Sequence, residues 1–126
     1  MKSRFVYTGI RVKNLQESID FYTKVLGMKV EGRSKIEAAK GEVVSLVSEG
    51  GGHPLELNFY AKGSRFNTRY VAGEGLDHLA FQVKDLNTAL EHARRAGHPP
   101  LLEIKTEKSR WAYITDPNGI YIELVS

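Results

Sequence analysis

The chain contains no cysteine. That excludes disulfides, thiolate nucleophiles and cysteine-ligated zinc, and it removes any argument for an oxidising compartment. Long apolar runs are missing too. No stretch approaches the ~18 apolar residues of a membrane-spanning helix. The opening Met1-Lys-Ser-Arg-Phe-Val-Tyr7 lacks the apolar run of a secretory leader. Neither sign of charge dominates, since 18 Lys and Arg against 15 Asp and Glu leave a net +3. The basic residues are scattered rather than gathered into the stripe that nucleic acid demands. Gly50-Gly51-Gly52 is not followed by Lys-Ser/Thr, so it is not a phosphate-binding loop, and no Gly-x-Ser-x-Gly elbow is present. The expectation is a soluble cytoplasmic protein that handles a small molecule, with no nucleic-acid and no membrane partner.

What is present is a repeat. Tyr7-Thr-Gly-Ile-Arg-Val-Lys-Asn-Leu15 aligns with His78-Leu-Ala-Phe-Gln-Val-Lys-Asp-Leu86, 71 positions later. Pro54-Leu-Glu-Leu57 aligns with Tyr121-Ile-Glu-Leu124, 67 positions later. Residues 5–12 alternate as a strand, with Val6, Thr8, Ile10 and Val12 on one face. Asn14 then caps a helix, with Glu17 as a capping-box partner. Leu15, Ile19, Tyr22 and Leu26 form its apolar stripe, and Gly27 ends it. Strands are expected near 28–33, 42–48 and 54–60. After a polar linker at 61–75 the order recurs. A strand at 77–83 leads to a helix capped by Asp85 and stopped by Gly97, Pro99 and Pro100. Strands follow near 101–105, 110–115 and 120–125, the last two joined at Asp116-Pro-Asn-Gly119.

The fold class is therefore α+β, with module one at about 4–60 and module two at about 76–126. Half of a 126-residue chain buries too little surface to be stable alone. The reading is a single domain, 1–126, whose two modules share a core.

Glu56 lies between Leu55 and Leu57, and Glu123 between Ile122 and Leu124. Alternation puts each glutamate on the face opposite the aliphatics, with Asn58 and Tyr60 beside Glu56. A single strand glutamate normally faces water. Two at equivalent positions of a repeat point instead to a shared site, where each carboxylate needs a cation or a proton. His78 adds an imidazole. One imidazole and two carboxylates make an oxygen-rich donor set suited to Mn, Co, Ni, Fe or Zn. Tyr7 occupies the place that His78 holds in the second copy, either as a ligand or as a packed, hydrogen-bonded phenol. His53, His92 and His98 read as surface or capping residues. Two basic regions, Lys62, Arg65 and Arg69, then Lys105, Lys108 and Arg110 beside Trp111, read as solvated loops. The sharper alternative is a basic rim for a small anionic substrate.

The segment from Tyr7 to Lys29, the Leu55-Glu-Leu57 and Asp77-His-Leu79 triplets, and the tail Asp116-Pro-Asn-Gly-Ile-Tyr-Ile-Glu-Leu124 together resemble the vicinal oxygen chelate superfamily (glyoxalase, bleomycin resistance, dioxygenase), and glyoxalase I most closely. The resemblance implies paired βαβββ modules forming a curled mixed sheet around a cavity. It implies a metal-dependent isomerase acting on the hemithioacetal of methylglyoxal and glutathione, working as a homodimer. The family's ligand order of His, Glu, His, Glu falls on Tyr7, Glu56, His78 and Glu123. Glu123 takes the place of the metal-bound base, and Glu56 is its counterpart. Arg11 stands where family members place an arginine that contacts glutathione. The asparagine four residues after the first ligand glutamate is Tyr60 here, with Asn58 displaced by two. Arg11, Asn58, Tyr60 and Trp111 are the expected substrate contacts. The alternatives within the superfamily are a metal-free binding protein of the bleomycin-resistance type and an extradiol dioxygenase-like enzyme.

Overall fold

A computed structural model describes residues 1, 2 and 4–126 of the chain. The chain divides into two units, Met1–Tyr70 and Val71–Ser126, each built on its own four-stranded mixed sheet.

In the first unit β1 (Thr8–Arg11) leads into helix α1 (Leu15–Asp20). Asn14 caps this helix, its Oδ1 accepting the Glu17 backbone N–H at 3.0 Å. A π-helical turn, Phe21–Val25, continues the helix to Gly27, which adopts φ +73°. Then come β2 (Lys29–Ile36), a 3-10 turn at Glu37–Ala39, β3 (Gly41–Val47) and β4 (Leu55–Tyr60). The sheet order is β1-β4-β3-β2, with β1 parallel to β4 and the other pairs antiparallel.

β1 is shorter than the 5–12 expected from alternation, and the reason lies in its neighbour. Its partner β4 begins at Leu55, and Thr8 N–H reaches back only to the Pro54 carbonyl. Proline has no N–H to continue the ladder. Tyr7 therefore precedes the strand rather than belonging to it.

The second unit repeats the plan. It holds β5 (His78–Gln82), α2 (Leu86–Arg95), β6 (Leu102–Lys105), β7 (Arg110–Thr115) and β8 (Tyr121–Val125), in the order β5-β8-β7-β6. Here Asp85 is the cap, accepting from Thr88 N–H at 3.2 Å. β5 is parallel to β8, as β1 is to β4.

Alternation decides what each sheet buries. Leu55 and Leu57 on β4 and Val44 and Leu46 on β3 are buried, and α1 packs on β4 with Leu15 and Ile19. Ile122 and Leu124 on β8 and Ala112 and Ile114 on β7 are buried, and α2 packs there with Leu90 and Ala93. Each fully buried leucine or isoleucine contributes about 1.5–3 kcal/mol. The same alternation turns Glu56 and Glu123 to the opposite faces of their sheets, where both are half-buried.

The segment after β4 is not a slack tether. Residues 61–70 belong to the first unit. Ser64 is buried and its hydroxyl donates to the Ala39 carbonyl. Arg11 donates from Nη1 to the carbonyls of Phe66 and Thr68 and to the Thr68 hydroxyl, at 3.1, 3.0 and 2.9 Å, and from Nη2 to the Arg69 carbonyl at 3.3 Å.

Between β7 and β8, Asp116 clasps the turn. Its Oδ1 accepts the backbone N–H groups of Asn118 and Ile120, both at 2.8 Å, and its Oδ2 accepts the Asn118 side-chain amide at 2.9 Å. Gly119 closes the turn at φ +86°, a left-handed conformation that suits glycine. A Cβ there would also stand 3.1 Å from the Ala72 Cβ.

Candidate active site

In the second unit the strand register brings the chemistry together. Glu123 is paired with Ala80 across β5–β8, and His78 lies two residues before Ala80, so both side chains share one face. His78 Nε2 stands 3.1 Å from Glu123 Oε2. Its Nδ1 stands 2.6 Å from Asp77 Oδ2. Tyr113, paired with Glu123 from β7, meets the imidazole edge-on at 5.8 Å between ring centres.

Asp77 defines the state of the ring. Its carboxylate accepts Nδ1–H and raises the pKa of His78 above 6.5. Partial burial opposes the rise, and the negative charge of Glu123 adds to it. In the neutral Nδ1–H form, the Nε2 lone pair faces the Glu123 carboxylate. Two lone pairs in that position call for a proton or a metal cation between them.

The spacing suits a cation. Two donors at about 2.0–2.2 Å from one divalent ion, at roughly a right angle, stand about 3 Å apart. A carboxylate behind the far nitrogen is the usual orienting partner of a metal-ligating histidine. His78 and Glu123 thus fit two positions of a divalent metal. Among the described residues, no three His, Asp or Glu side chains gather into one group able to hold it.

In the first unit Glu56 is paired with Gly9 on β1 and Ser45 on β3. Gly9 leaves room on this face, because a Cβ there would lie 3.0 Å from Asn58 Nδ2 and 4.0 Å from Glu56 Oε1. Tyr7 lies just before β1 and is 48% exposed. Asn58 donates its amide to the Ile10 and Glu56 carbonyls, both at 3.3 Å. Arg11 is occupied with backbone carbonyls. Tyr60 packs its ring on Phe66 at 5.2 Å. Trp111 is half-buried on β7, paired with Ile104 and Val125.

Of the remaining histidines, His98 uses Nδ1 to donate to the Thr115 carbonyl at 2.7 Å. His53 stacks on Phe5 at 4.5 Å and meets the Thr8 hydroxyl at 3.1 Å.

Residue types and spacing missed two participants, Asp77 and Tyr113. Strand alternation puts neighbours on opposite faces, so an Asp–His contact between adjacent residues is unexpected. It forms because Asp77 precedes the strand that His78 opens. Tyr113 is found only once the β7–β8 register is known.

Two βαβββ modules, with an imidazole and a carboxylate sharing one sheet face in the second, define an α+β scaffold. The model of the Glyoxalase/Bleomycin resistance protein/Dioxygenase superfamily matches residues 4–124, and the chain belongs to that superfamily. Its relatives include a lactoylglutathione lyase of Escherichia coli O157:H7, 34% identical over 126 residues, a match spanning 97% of this chain and 91% of that protein. The trypanothione-dependent glyoxalase I of Leishmania major is 31% identical and superposes with a TM-score of 0.77 over 99% of this chain and 87% of that one. A glyoxalase family protein from Bacillus cereus superposes with a TM-score of 0.81 over 99% of this chain and 94% of that one. At 23% identity this last likeness is one of fold. Among the described residues, no helix is long and apolar enough to cross a membrane.

Proposed function

We propose that the chain is a metal-dependent, glyoxalase I-like isomerase acting on the hemithioacetal of methylglyoxal and a glutathione-type thiol. The observation that carries this reading is the Asp77–His78–Glu123 chain, an oriented imidazole directed at a carboxylate. The kinship with lactoylglutathione lyases supports it. In this reading residues 1–126 act as one domain and the protein works as a homodimer.

His78 and Glu123 would hold a divalent ion together with Glu56, from this chain or from a second copy, with Tyr7 at the fourth ligand position. Such an ion, one of Ni, Co, Mn, Zn or Fe, would supply Lewis-acid stabilisation of the anion formed when a carbon-bound proton leaves. Glu123 takes the proton from the carbon bearing sulfur and hydroxyl, and the neighbouring carbon receives it. Glu56 is its counterpart in the first module. Asp77 keeps His78 in the Nδ1–H tautomer, so that Nε2 stays available as a donor.

A second reading is metal-free binding of a small molecule, and Tyr7 favours it. A phenol stands where the repeat calls for an imidazole, which leaves the first module with one carboxylate.

The two readings separate on purified protein loaded in turn with Ni, Co, Mn and Zn. Metal content is measured by mass spectrometry and isomerisation by thioester absorbance. The isomerase reading requires stoichiometric metal and activity that Glu123→Gln abolishes. No stoichiometric metal under any loading refutes it. Bound metal without turnover retains the metal site and rejects the substrate.

A further inference from the structure

His78 opens β5, and the strand by itself does not aim its ring. The χ2 torsion of histidine is broad and roughly two-fold. Either Nε2 or a ring carbon could therefore face Glu123. Asp77 holds Nδ1, but its side chain is 92% exposed, so water competes for that hydrogen bond. Glu123 stands 3.1 Å from Nε2, and its own side chain is 19% exposed.

Tyr113 supplies a third contact, from a different strand. β5 and β7 lie on opposite sides of β8. Neighbouring strands are about 4.8 Å apart, which separates these two by roughly 10 Å. Yet the ring centres of His78 and Tyr113 are 5.8 Å apart, with the planes at 88°. Both side chains therefore lean inward over β8, the strand that carries Glu123. Perpendicular aromatic rings attract edge to face, so turning the imidazole gives up this contact too. The Tyr113 backbone is well anchored. It is paired with Glu123 on one side and Leu102 on the other, and its neighbours Ala112 and Ile114 are fully buried.

The repeat points the same way. In the first module the β3 residue opposite Glu56 is Ser45, and Tyr7 stands where the second module has its imidazole. The aromatic ring opposite the glutamate occurs only in the module that has the histidine.

We infer that Tyr113 is a positioning residue for His78, whose ring, rather than hydroxyl, keeps Nε2 aimed at Glu123. The inference deepens the metal-dependent reading, which gives a fixed imidazole its use. The contact itself is present without a metal.

The test compares the full chain with Tyr113→Ser, which copies Ser45 of the first module, and with Tyr113→Phe, which keeps the ring. In metal-free protein, ¹³C relaxation of the His78 ring reports its order, and amide relaxation reports the strands. Tyr113→Ser should loosen the His78 ring while the β5 and β8 amides keep their order, and Tyr113→Phe should stay as ordered as the parent. If Tyr113→Ser does not fold, Tyr113→Leu, which keeps the bulk, takes its place. In calorimetry with Zn, loss of the ring should weaken binding by about tenfold or more, the scale typical of groups that orient a ligand, and Tyr113→Phe should not. An unchanged His78 ring in the serine or leucine variant would overturn the inference. Equal loosening in Tyr113→Phe would overturn it as well, because the hydroxyl would then be responsible. Zn affinity unaffected by loss of the ring would show that the contact does not serve metal binding. If the parent chain binds no metal, the isomerase reading fails on its own test, and ring order alone decides the role of Tyr113.

Discussion

Asp116 offers the sharpest quantitative test of how the second module is held. Asp116 is 3% exposed and Asn118 is 1% exposed, so water cannot replace the contacts between them. Truncation to alanine strips the acceptor from the Asn118 and Ile120 backbone N–H groups and from the Asn118 amide. Each orphaned buried donor costs about 1–3 kcal/mol. With partial relaxation the total for Asp116→Ala is about 3–5 kcal/mol. Asp116→Asn keeps Oδ1 for both backbone donors, and the Asn118 amide can turn to present its oxygen. It loses only charge assistance, about 1 kcal/mol. Urea denaturation followed by the fluorescence of Trp111, the chain's single tryptophan and a residue of β7, reads the difference. With a slope of about 1–3 kcal/mol per molar urea, Asp116→Ala should lower the midpoint by more than about 1 M. A loss below about 1 kcal/mol, or equal losses for the two variants, would refute the argument. The first result would mean that the β7–β8 hairpin does not depend on the clasp, and the second that a neutral oxygen does not replace the carboxylate.

His78 should titrate above 6.5 by NMR in metal-free protein, and Asp77→Asn should bring it down, since the Asp77 hydrogen bond is the main cause of the rise. The sign follows from linkage: the stability it contributes is fully present below pH 6.5 and is lost as pH rises through the raised folded value. Asp77→Asn should flatten that dependence, and an unchanged titration would sink the assignment. Gly119→Ala should cost roughly 2 kcal/mol, about 1 for the left-handed backbone and the rest for the Ala72 contact. Gly27→Ala, at φ +73° with nothing within 4 Å of the added Cβ, should cost only the first part. Adding Ala72→Gly to Gly119→Ala should recover the excess, and failure to do so removes the steric half of the argument. Tyr7→His should raise divalent-metal affinity at least tenfold by calorimetry if the first module simply lacks an imidazole, and no gain counts against Tyr7 as a ligand position.

Much of this architecture is legible in the sequence because it rests on local rules. Asn14 and Asp85 announce their helices through side chains that accept the N–H three residues on, and both bonds form. Leu55 and Leu57, and Ile122 and Leu124, fix which way Glu56 and Glu123 face. What escapes the sequence depends on partners without a side-chain signature. The Arg11 clamp acts mainly on backbone carbonyls, which every residue possesses, so residues 61–70 read as a loose connection. The 3-10 turn at Glu37–Ala39 ends on Lys40 at φ +50°, where a glycine or asparagine would have marked the break. β1 is cut short by Pro54, just before its partner strand β4, and alternation within 5–12 cannot see it.

The π-helical turn at Phe21–Val25 has a consequence for the repeat itself. From the helix cap to the closing glycine, module one runs 14 residues, Asn14 to Gly27, and module two runs 13, Asp85 to Gly97. One extra residue in a plain α-helix would rotate everything after it by about 100°. A π turn absorbs such an insertion locally. The first copy thus carries one residue more than the second between cap and glycine. The widened turn takes up the surplus residue and lets the chain leave the helix in phase for the strands that follow. Removing one residue from that stretch should give a plain helix like its counterpart, with the strand register of its sheet left intact.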